Sequence, residues 1–220
     1  MSQLALFDLD NTLLIGDSDH TWGVFLAEIG AVDAQKQITA QNHFYAQYQA
    51  GTLDIHEFLE FQFTLLKNNS LEQLTAWREQ YIESHIKPLI IQERLDLVKH
   101  HQQQGHETII ITATNSFITR PIADLFDIKH LIATEPEQNI HGFTGKLSGI
   151  PCFQSGKIEK LNAFLSENFS ETTLENSETW FYSDSHNDLP LLEAATHAIA
   201  VTPDEKLTAH ANKHNWDIIK

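Results

Sequence analysis

The feature that most constrains the fold is a short apolar run near the start of the chain that ends in two aspartates. Residues 4–7 have the composition of a buried strand, and Asp8 and Asp10 follow them directly. Residues two apart on an extended strand point to the same side, so the two carboxylates lie next to each other. Their repulsion has to be offset, most simply by a divalent cation. A turn or a helix N-cap is the alternative explanation, because Asp is a good capping residue.

Size and composition indicate a globular protein of one domain with a sizeable insertion, or of two small domains. The chain has 220 residues, of which 41% are hydrophobic and 20% charged, and a formal net charge of −16. This charge argues against nucleic acid and anionic membranes as partners, because both attract Lys and Arg. No segment reaches the roughly 18 apolar residues of a membrane span, and the N-terminus lacks a signal peptide's cationic start. Cys152 is the only cysteine, so we expect a cytoplasmic protein with a buried thiol rather than a cysteine nucleophile.

A helical pattern follows Gly16. From about residue 18 to residue 86, apolar residues recur every three or four positions, with interruptions at Gly30, Gly51 and residues 68–70. This spacing predicts four helices that form a small bundle, with the aromatic residues in the bundle core.

Helices and strands alternate from Pro88 onward. The predicted helices cover residues 91–104, 116–125, 156–168, 188–194 and 204–214. The predicted strands cover residues 108–112, 131–134, 179–183 and 199–201, with a hairpin at 141–147. The alternation indicates an α/β protein with a Rossmann-like parallel sheet core. The helical bundle is then a cap inserted after the first strand, with residues 1–16 and 87–220 as the core and residues 17–86 as the cap.

Polar side chains gather where the predicted strands end, which is where open α/β sheets bind ligands. In chain order these residues are Asp8, Asp10, Thr112, Ala113, Asp184 and Asp188. Lys157 lies at the start of the predicted helix 156–168, which comes between the strand end at Thr112 and the strand end at Asp184 in the chain. A cation is misplaced at a helix N-terminus unless an anion lies nearby, so we predict that Lys157 serves a site rather than the surface.

These residues resemble the four motifs of the haloacid dehalogenase superfamily of phosphotransferases, in the same order and spacing. Residues 8–12 (DLDNT) are similar to the first motif, Thr112 to the second, Lys157 to the third and residues 184–188 (DSHND) to the fourth. A helical insertion directly after the first motif is similar to the cap of subfamily IB. That subfamily includes bacterial hydrolases of the phosphoserine-phosphatase and histidinol-phosphatase type.

The resemblance implies a Mg²⁺-dependent phosphomonoester hydrolase that works through an aspartyl-phosphate. Asp8 is expected to attack phosphorus, and Asp10 to protonate the leaving oxygen and then to activate water. The resemblance places Mg²⁺ between Asp8, Asp184 and the backbone carbonyl of Asp10, consistent with the preference of this ion for oxygen ligands.

The other motif residues are expected to handle the phosphate group. Thr112, Ala113 and Lys157 would bind its oxygens, and Lys157 would also offset the negative charge that builds up in the reaction. Asp188 would support Lys157 or a metal-bound water. Asn187 is assigned a supporting position, with a turn residue as the favoured alternative.

The substrate prediction depends on the cap. Phosphoserine phosphatases hold the substrate amine with a cap Glu nine residues after the nucleophile, and the substrate carboxylate with a cap Arg. In this chain Asp17 occupies the first position, and an ungapped alignment on residues 51–53 puts Glu60 at the second. An acid in place of the Arg repels a carboxylate and favours a cationic substrate such as histidinol phosphate, of histidine biosynthesis. A solvated helix face is the alternative explanation of the acidic cap.

Two further functions stay open at the level of the sequence. Phosphoserine or another small phosphomonoester is the alternative substrate, and a catalytically silent phosphate-binding protein is the alternative outside enzymes. The expected partner in every case is a small phosphorylated metabolite, and the expected state is a monomer or a weak homodimer.

Overall fold

The computed structural model describes residues 2–169 and 171–220, and in this part of the chain seven strands form one sheet. The strands are β1 (Gln3–Phe7), β2 (Glu107–Asn115), β3 (His130–Asn139), β4 (Gly142–Ser148), β5 (Glu178–Ser183), β6 (His197–Val201) and β7 (Asp217–Ile219). Their order in the sheet is β4-β3-β2-β1-β5-β6-β7. All neighbouring strands are parallel except β3 and β4. The predicted α/β fold with a parallel sheet is therefore confirmed.

Helices cover both faces of the sheet. They are α1 (Ser18–Glu28), α2 (Ala34–Ala50), α3 (Ile55–Lys67), α4 (Leu71–Tyr81), α5 (Gln92–Gln103), α6 (Ser116–Leu125), α7 (Ser155–Asn168), α8 (Leu189–Ala194) and α9 (Glu205–His214). Alternate residues of β1 face two separate cores. Ala5 and Phe7 pack in one core with residues of α1 and α3–α6, whereas Leu4 and Leu6 pack in the other with α7, α8 and α9. β1 is thus buried on both faces, as its continuous apolar run predicts.

The helical insertion comprises residues 18–86, with α1–α4 followed by a π-helical turn at Ile82–Ile86. Its four α-helices lie between β1 and β2 in the chain, as predicted. Each begins at a residue whose side chain accepts a backbone N–H hydrogen bond, which stabilises the helix start. These capping residues are Asp17, Asp33, Asp54 and Ser70. The division of the chain into a core and a separate cap domain stays a prediction.

Two predicted details of the sheet need correction. β3 continues to Asn139 and pairs with β4, so the hairpin turn lies at residues 140–141 and the strands are longer than the predicted segment 141–147. The second half of β3 is polar and contains Pro136, a composition that is typical of a loop rather than of a strand. The sequence analysis also missed β7, whose three residues are too few to show a strand pattern.

Two other expectations concern membranes and the thiol. No helix in residues 2–169 and 171–220 has the length and apolar character needed to cross a bilayer. Cys152 is fully buried, and burial raises the pKa of its thiol to about 12. The prediction of a buried thiol is confirmed.

Candidate active site

The carboxyl ends of β1, β2 and β5 meet at one edge of the sheet. Asp8 follows β1 directly, and its backbone N–H donates to the carbonyl oxygen of Tyr182 at 2.9 Å. β1 pairs with both β2 and β5, and this register places Thr112 of β2 and Ser183 of β5 close to Asp8. The sheet topology therefore brings together side chains that are far apart in the sequence.

Lys157 joins two aspartates at this edge. Its ammonium nitrogen donates to Oδ1 of Asp8 and to Oδ2 of Asp188, both at 2.7 Å. Ser183 Oγ donates to the same oxygen of Asp188, also at 2.7 Å. In the described part of the chain Oδ2 of Asp8 accepts no hydrogen bond, so one oxygen of this carboxylate is held and the other is left for a ligand.

Burial and charge shift the pKa values of this group in opposite directions. Burial raises the pKa of Asp8 to about 7, although the charge of Lys157 opposes this effect. Burial alone would lower the pKa of Lys157, but Asp188 and Asp8 outweigh it and hold that pKa well above its ordinary value. Lys157 is therefore a permanent cation beside the carboxylate of Asp8.

Asp10 is held through both of its carboxylate oxygens. The backbone N–H of Ser18 donates to Oδ1 at 2.6 Å, and the hydroxyl of Thr114 donates to Oδ2 at 2.8 Å. Burial, with repulsion from Asp17, raises the pKa of Asp10 to about 7. A carboxyl group with a pKa near neutrality can both give up and take up a proton at physiological pH.

Thr114 is a site residue that the sequence analysis missed. It lies two positions after Thr112, and side chains two apart on a strand share a face. Its backbone N–H also donates to the hydroxyl of Thr112 at 3.2 Å. That spacing is the signal that could have identified it.

The aspartates of this edge carry more negative charge than Lys157 can balance. Burial, together with the charges of Asp8 and Asp188, raises the pKa of Asp184 well above its ordinary value. A cation bound near Asp8 and Asp184 would relieve this repulsion.

The donor atoms near this edge suit a magnesium ion. No three His, Cys, Asp or Glu side chains within residues 2–169 and 171–220 are arranged as a metal centre. Mg²⁺ does not need such a set, because it usually keeps several waters and uses only one or two protein carboxylates. Asp8 and Asp184 are two such carboxylates, whereas zinc sites are usually built with His or Cys ligands.

A cavity of about 130 Å³ opens above these residues. Its floor includes Asp8, Lys157, Thr112 and Ala113, so the structure brings the predicted phosphate-binding residues together. The helical insertion and the loop before α7 supply aromatic walls, namely Phe44, Tyr48, Phe58, Phe61 and Phe153. The polar groups above the floor include Asp17, His20, Asp19 and Gln62. The site is thus anionic and polar at its base and largely aromatic above.

Of the two cap residues that were predicted to bind the substrate, one lies at the cavity and the other does not. Asp17 lies on the cavity wall, where Oδ1 accepts from the backbone N–H groups of Asp19 and His20 and caps α1. Glu60 is exposed and lines a surface cleft outside this cavity. The prediction that Glu60 contacts the substrate is therefore wrong. Each helical residue turns the side chain by about 100°. The ungapped alignment therefore missed Gln62, which lies two residues further along α3 and does face the cavity.

Asn187 connects the helical insertion to the loop that follows β5. Its amide nitrogen donates to the backbone carbonyl of Tyr48 at 3.2 Å, and its Oδ1 accepts from Gln154 at 3.1 Å. Asn187 is buried and lines the cavity. It lies in a short 3₁₀ turn as well, so the turn residue predicted from the sequence also fixes the position of Tyr48.

A second connection joins α9 to the end of α2. Lys206 Nζ donates to the carbonyl oxygens of Gln49 and Ala50 at 3.1 and 3.0 Å. A cation at a helix C-terminus is favourable because unpaired carbonyls carry partial negative charge there. His186, in the loop after β5, lies 3.2 Å from the same ammonium and 2.7 Å from a carboxylate oxygen of Asp204.

A protein-family model provides the observation that decides the family. The model described as haloacid dehalogenase-like hydrolase matches residues 5–193. The chain belongs to this family. The predicted family and the prediction of a phosphoric monoester hydrolase are therefore confirmed.

Individual relatives of this haloacid dehalogenase-like hydrolase span the whole chain. It is 41% identical over 220 residues to a histidinol-phosphatase of Neisseria meningitidis, covering 100% of this chain and 99% of the relative. A crystal structure of a Bordetella pertussis protein of unknown function matches with a TM-score of 0.93 and 39% identity, over 100% and 99% of the two chains. A phospho-aspartyl intermediate analogue of phosphoserine phosphatase has a TM-score of 0.69 at 17% identity, over 99% and 92% of the chains, and shares the fold.

Proposed function

We propose that this hydrolase is a Mg²⁺-dependent phosphatase of histidinol phosphate that works through an aspartyl-phosphate on Asp8. The observation that carries the proposal is the contact of Lys157 with Asp8 on the floor of the cavity. It fixes one oxygen of Asp8 and keeps a permanent positive charge where a phosphate group would approach. The whole-length similarity to a histidinol-phosphatase supports the choice of substrate.

The reaction proceeds in two steps at the floor of the cavity. The free oxygen of Asp8 attacks phosphorus, and the bond from phosphorus to the alcohol oxygen breaks while Asp10 protonates that oxygen. Water then attacks the aspartyl-phosphate, Asp10 takes a proton from the water, and phosphate leaves with Asp8 restored. Thr114 and the N–H of Ser18 hold Asp10 in place through both steps.

The remaining floor residues stabilise charge. Lys157 offsets the negative charge of the phosphate oxygens, and the hydroxyl of Thr112 and the backbone at Ala113 bind them. Asp8, Asp184 and the carbonyl of Asp10 would hold Mg²⁺, which when bound lets an anionic nucleophile meet an anionic phosphate.

The cavity walls support a cationic substrate with a flat ring. Among the described residues, the Lys and Arg side chains that line the cavity are limited to Lys157, which is already paired with Asp8 and Asp188. A substrate carboxylate, as in phosphoserine, therefore has no free Lys or Arg partner there. Histidinol phosphate has an amine and an imidazole but no carboxylate, and it suits acidic and aromatic walls. The helical insertion would then act as a cap that selects the substrate.

A rate comparison tests this function. The purified chain is assayed on histidinol phosphate, phosphoserine and p-nitrophenyl phosphate, each with EDTA and with Mg²⁺. We expect turnover only with Mg²⁺ and the highest kcat/KM for histidinol phosphate. Full activity in EDTA would contradict the metal assignment, and a higher kcat/KM for phosphoserine would contradict the substrate.

A further inference from the structure

The cavity wall contains a carboxylate that no cation of the described chain neutralises. Asp19 lies in the first turn of α1, and its Oδ2 accepts a hydrogen bond from the side-chain amide of Gln62 on α3. No Lys, Arg or His side chain in residues 2–169 and 171–220 forms a salt bridge with it. Burial raises the pKa of Asp19 well above its ordinary value, and the charges of Asp17 and Asp10 add to this effect. An ionised carboxylate in this position is costly unless a positive charge comes close to it.

The other acids of the cavity already have partners. Asp8 and Asp188 share the ammonium of Lys157. Asp10 accepts hydrogen bonds at both oxygens, and Asp17 caps α1. Asp19 differs from these four, because in the described part of the chain it accepts neither from a cation nor from a backbone N–H, and its partner is the side-chain amide of Gln62.

The position of Asp19 relative to Asp10 suits a particular kind of ligand. Asp10 and Asp19 line the same cavity, and the charge of Asp10 contributes to the raised pKa of Asp19. In the proposed reaction Asp10 protonates the leaving oxygen of the substrate. In a phosphate ester of a 2-amino alcohol, the ammonium group is two carbons from that oxygen. A ligand whose leaving oxygen is at Asp10 therefore carries its ammonium group inside the cavity that Asp19 lines.

We propose that Asp19, oriented by Gln62, binds the ammonium group of the substrate and selects phosphate esters of 2-amino alcohols. This inference rests on the proposed phosphatase function and assigns the amine to Asp19 rather than to the capping residue Asp17. The charge of the ammonium group neutralises Asp19 in the complex. The neutral Gln62 keeps the carboxylate in place without competing for the ligand.

The test compares matched ligands with and without the amine, in the presence of Mg²⁺. Asp19→Asn keeps the shape of the side chain and removes its charge, and Glu60→Gln makes the same change of charge at an exposed position on α3. The substrates are histidinol phosphate and its deamino analogue. We expect Asp19→Asn to lower kcat/KM for histidinol phosphate about 30-fold, which corresponds to a lost charge pair of about 2 kcal/mol. The loss should be mostly in KM, with a change of less than about 3-fold on the deamino analogue. Glu60→Gln should match the wild type on both.

A second readout separates this inference from the choice of histidinol phosphate as substrate. Phosphoethanolamine and ethyl phosphate are tested as competitive inhibitors of p-nitrophenyl phosphate hydrolysis. We expect the wild type to bind phosphoethanolamine more tightly than ethyl phosphate, and Asp19→Asn to lose this preference. Gln62→Met, which frees the carboxylate, should reduce the preference by a smaller factor and supplies a second variant if Asp19→Asn does not fold.

The outcomes separate clearly. Equal losses on amine and deamino ligands, or no loss in either variant, would overturn the role of Asp19. If histidinol phosphate is not hydrolysed but the wild type prefers phosphoethanolamine and Asp19→Asn does not, the substrate assignment fails and the role of Asp19 is supported.

Discussion

The ammonium nitrogen of Lys157 lies 2.7 Å from Oδ1 of Asp8, although the two residues are 149 positions apart in the sequence. Both side chains are almost fully buried. The same ammonium also contacts Asp188, so one cation stabilises two carboxylates that are largely removed from water.

Removal of this cation should cost both stability and activity. Lys157→Met leaves Asp8 and Asp188 buried without a positive charge, and we expect the free energy of unfolding in EDTA to fall by about 3 kcal/mol. Urea denaturation measures it. Lys160→Met, one turn along α7, is the matched control and should cost less than about 1 kcal/mol. Equal costs in the two variants would show that the buried contact contributes little.

The hydroxyl of Thr114 should matter for the rate because it fixes the carboxylate of Asp10. A hydrogen bond to a charged group is worth about 1.5 kcal/mol, so Thr114→Val should lower kcat about tenfold. Thr114→Ser keeps the hydroxyl and should recover most of the rate. Steady-state kinetics of the two variants measure this effect. A Ser variant as slow as the Val variant would mean that packing, rather than the hydrogen bond, is responsible.

The contact between Lys206 and the end of α2 should keep the aromatic wall in position. Lys206→Met removes the ammonium that binds the carbonyls of Gln49 and Ala50, next to Tyr48 of the wall. We expect a several-fold increase in KM and faster backbone hydrogen exchange at the C-terminal end of α2. The unfolding free energy should change by less than about 1 kcal/mol, since Lys206 is exposed. Lys213→Met on the same helix is the control, and identical kinetics in both variants would argue against this role.

A pair of histidines away from the active site should make stability sensitive to acid. Nδ1 of His101 lies 2.8 Å from Nδ1 of His106, so one of these nitrogens must donate and the other must accept. The two nitrogens therefore cannot carry a proton at the same time. Burial, followed by the charges of His106 and His100, lowers the pKa of His101 to about 4. Because the pKa of His101 is lower in the folded state, the unfolded chain takes up a proton first as the pH falls. The contribution of neutral His101 to stability is therefore complete above about pH 6.5 and is lost as the pH falls towards 4. Unfolding free energies between pH 7.5 and 5 should fall more steeply for the wild type than for His101→Gln. Parallel pH profiles would contradict this assignment.

The sequence predicts the floor of the site better than its walls. Asp8 and Asp10 follow from a strand end and Lys157 from the start of the helix that precedes another strand, and a parallel sheet brings all its carboxyl ends to one edge whatever the loop lengths. A position known to within a residue or two is sufficient there. The same holds for the fold, because alternation of strands and helices tolerates small errors in element boundaries.

The walls depend on helix register, which the sequence does not fix. Gln62 lines the active-site cavity, whereas Glu60, two residues earlier on α3, does not. An alignment on a short loop cannot distinguish them, because two residues of a helix turn the side chain by about 200°. Asp19 was missed for a related reason, since its hydrogen bond to Gln62 depends on how α1 and α3 pack.

The central claim, an aspartyl-phosphate (an acyl phosphate) on Asp8, is tested most directly by trapping that intermediate. The enzyme is mixed with histidinol phosphate and Mg²⁺, quenched in acid during turnover, digested and analysed by mass spectrometry. We predict the mass of one added phosphoryl group on the peptide that contains Asp8, absent in EDTA and in Asp8→Asn. Turnover without phosphoryl transfer to this peptide, or an Asp8→Asn variant with the kcat of the wild type, would contradict it.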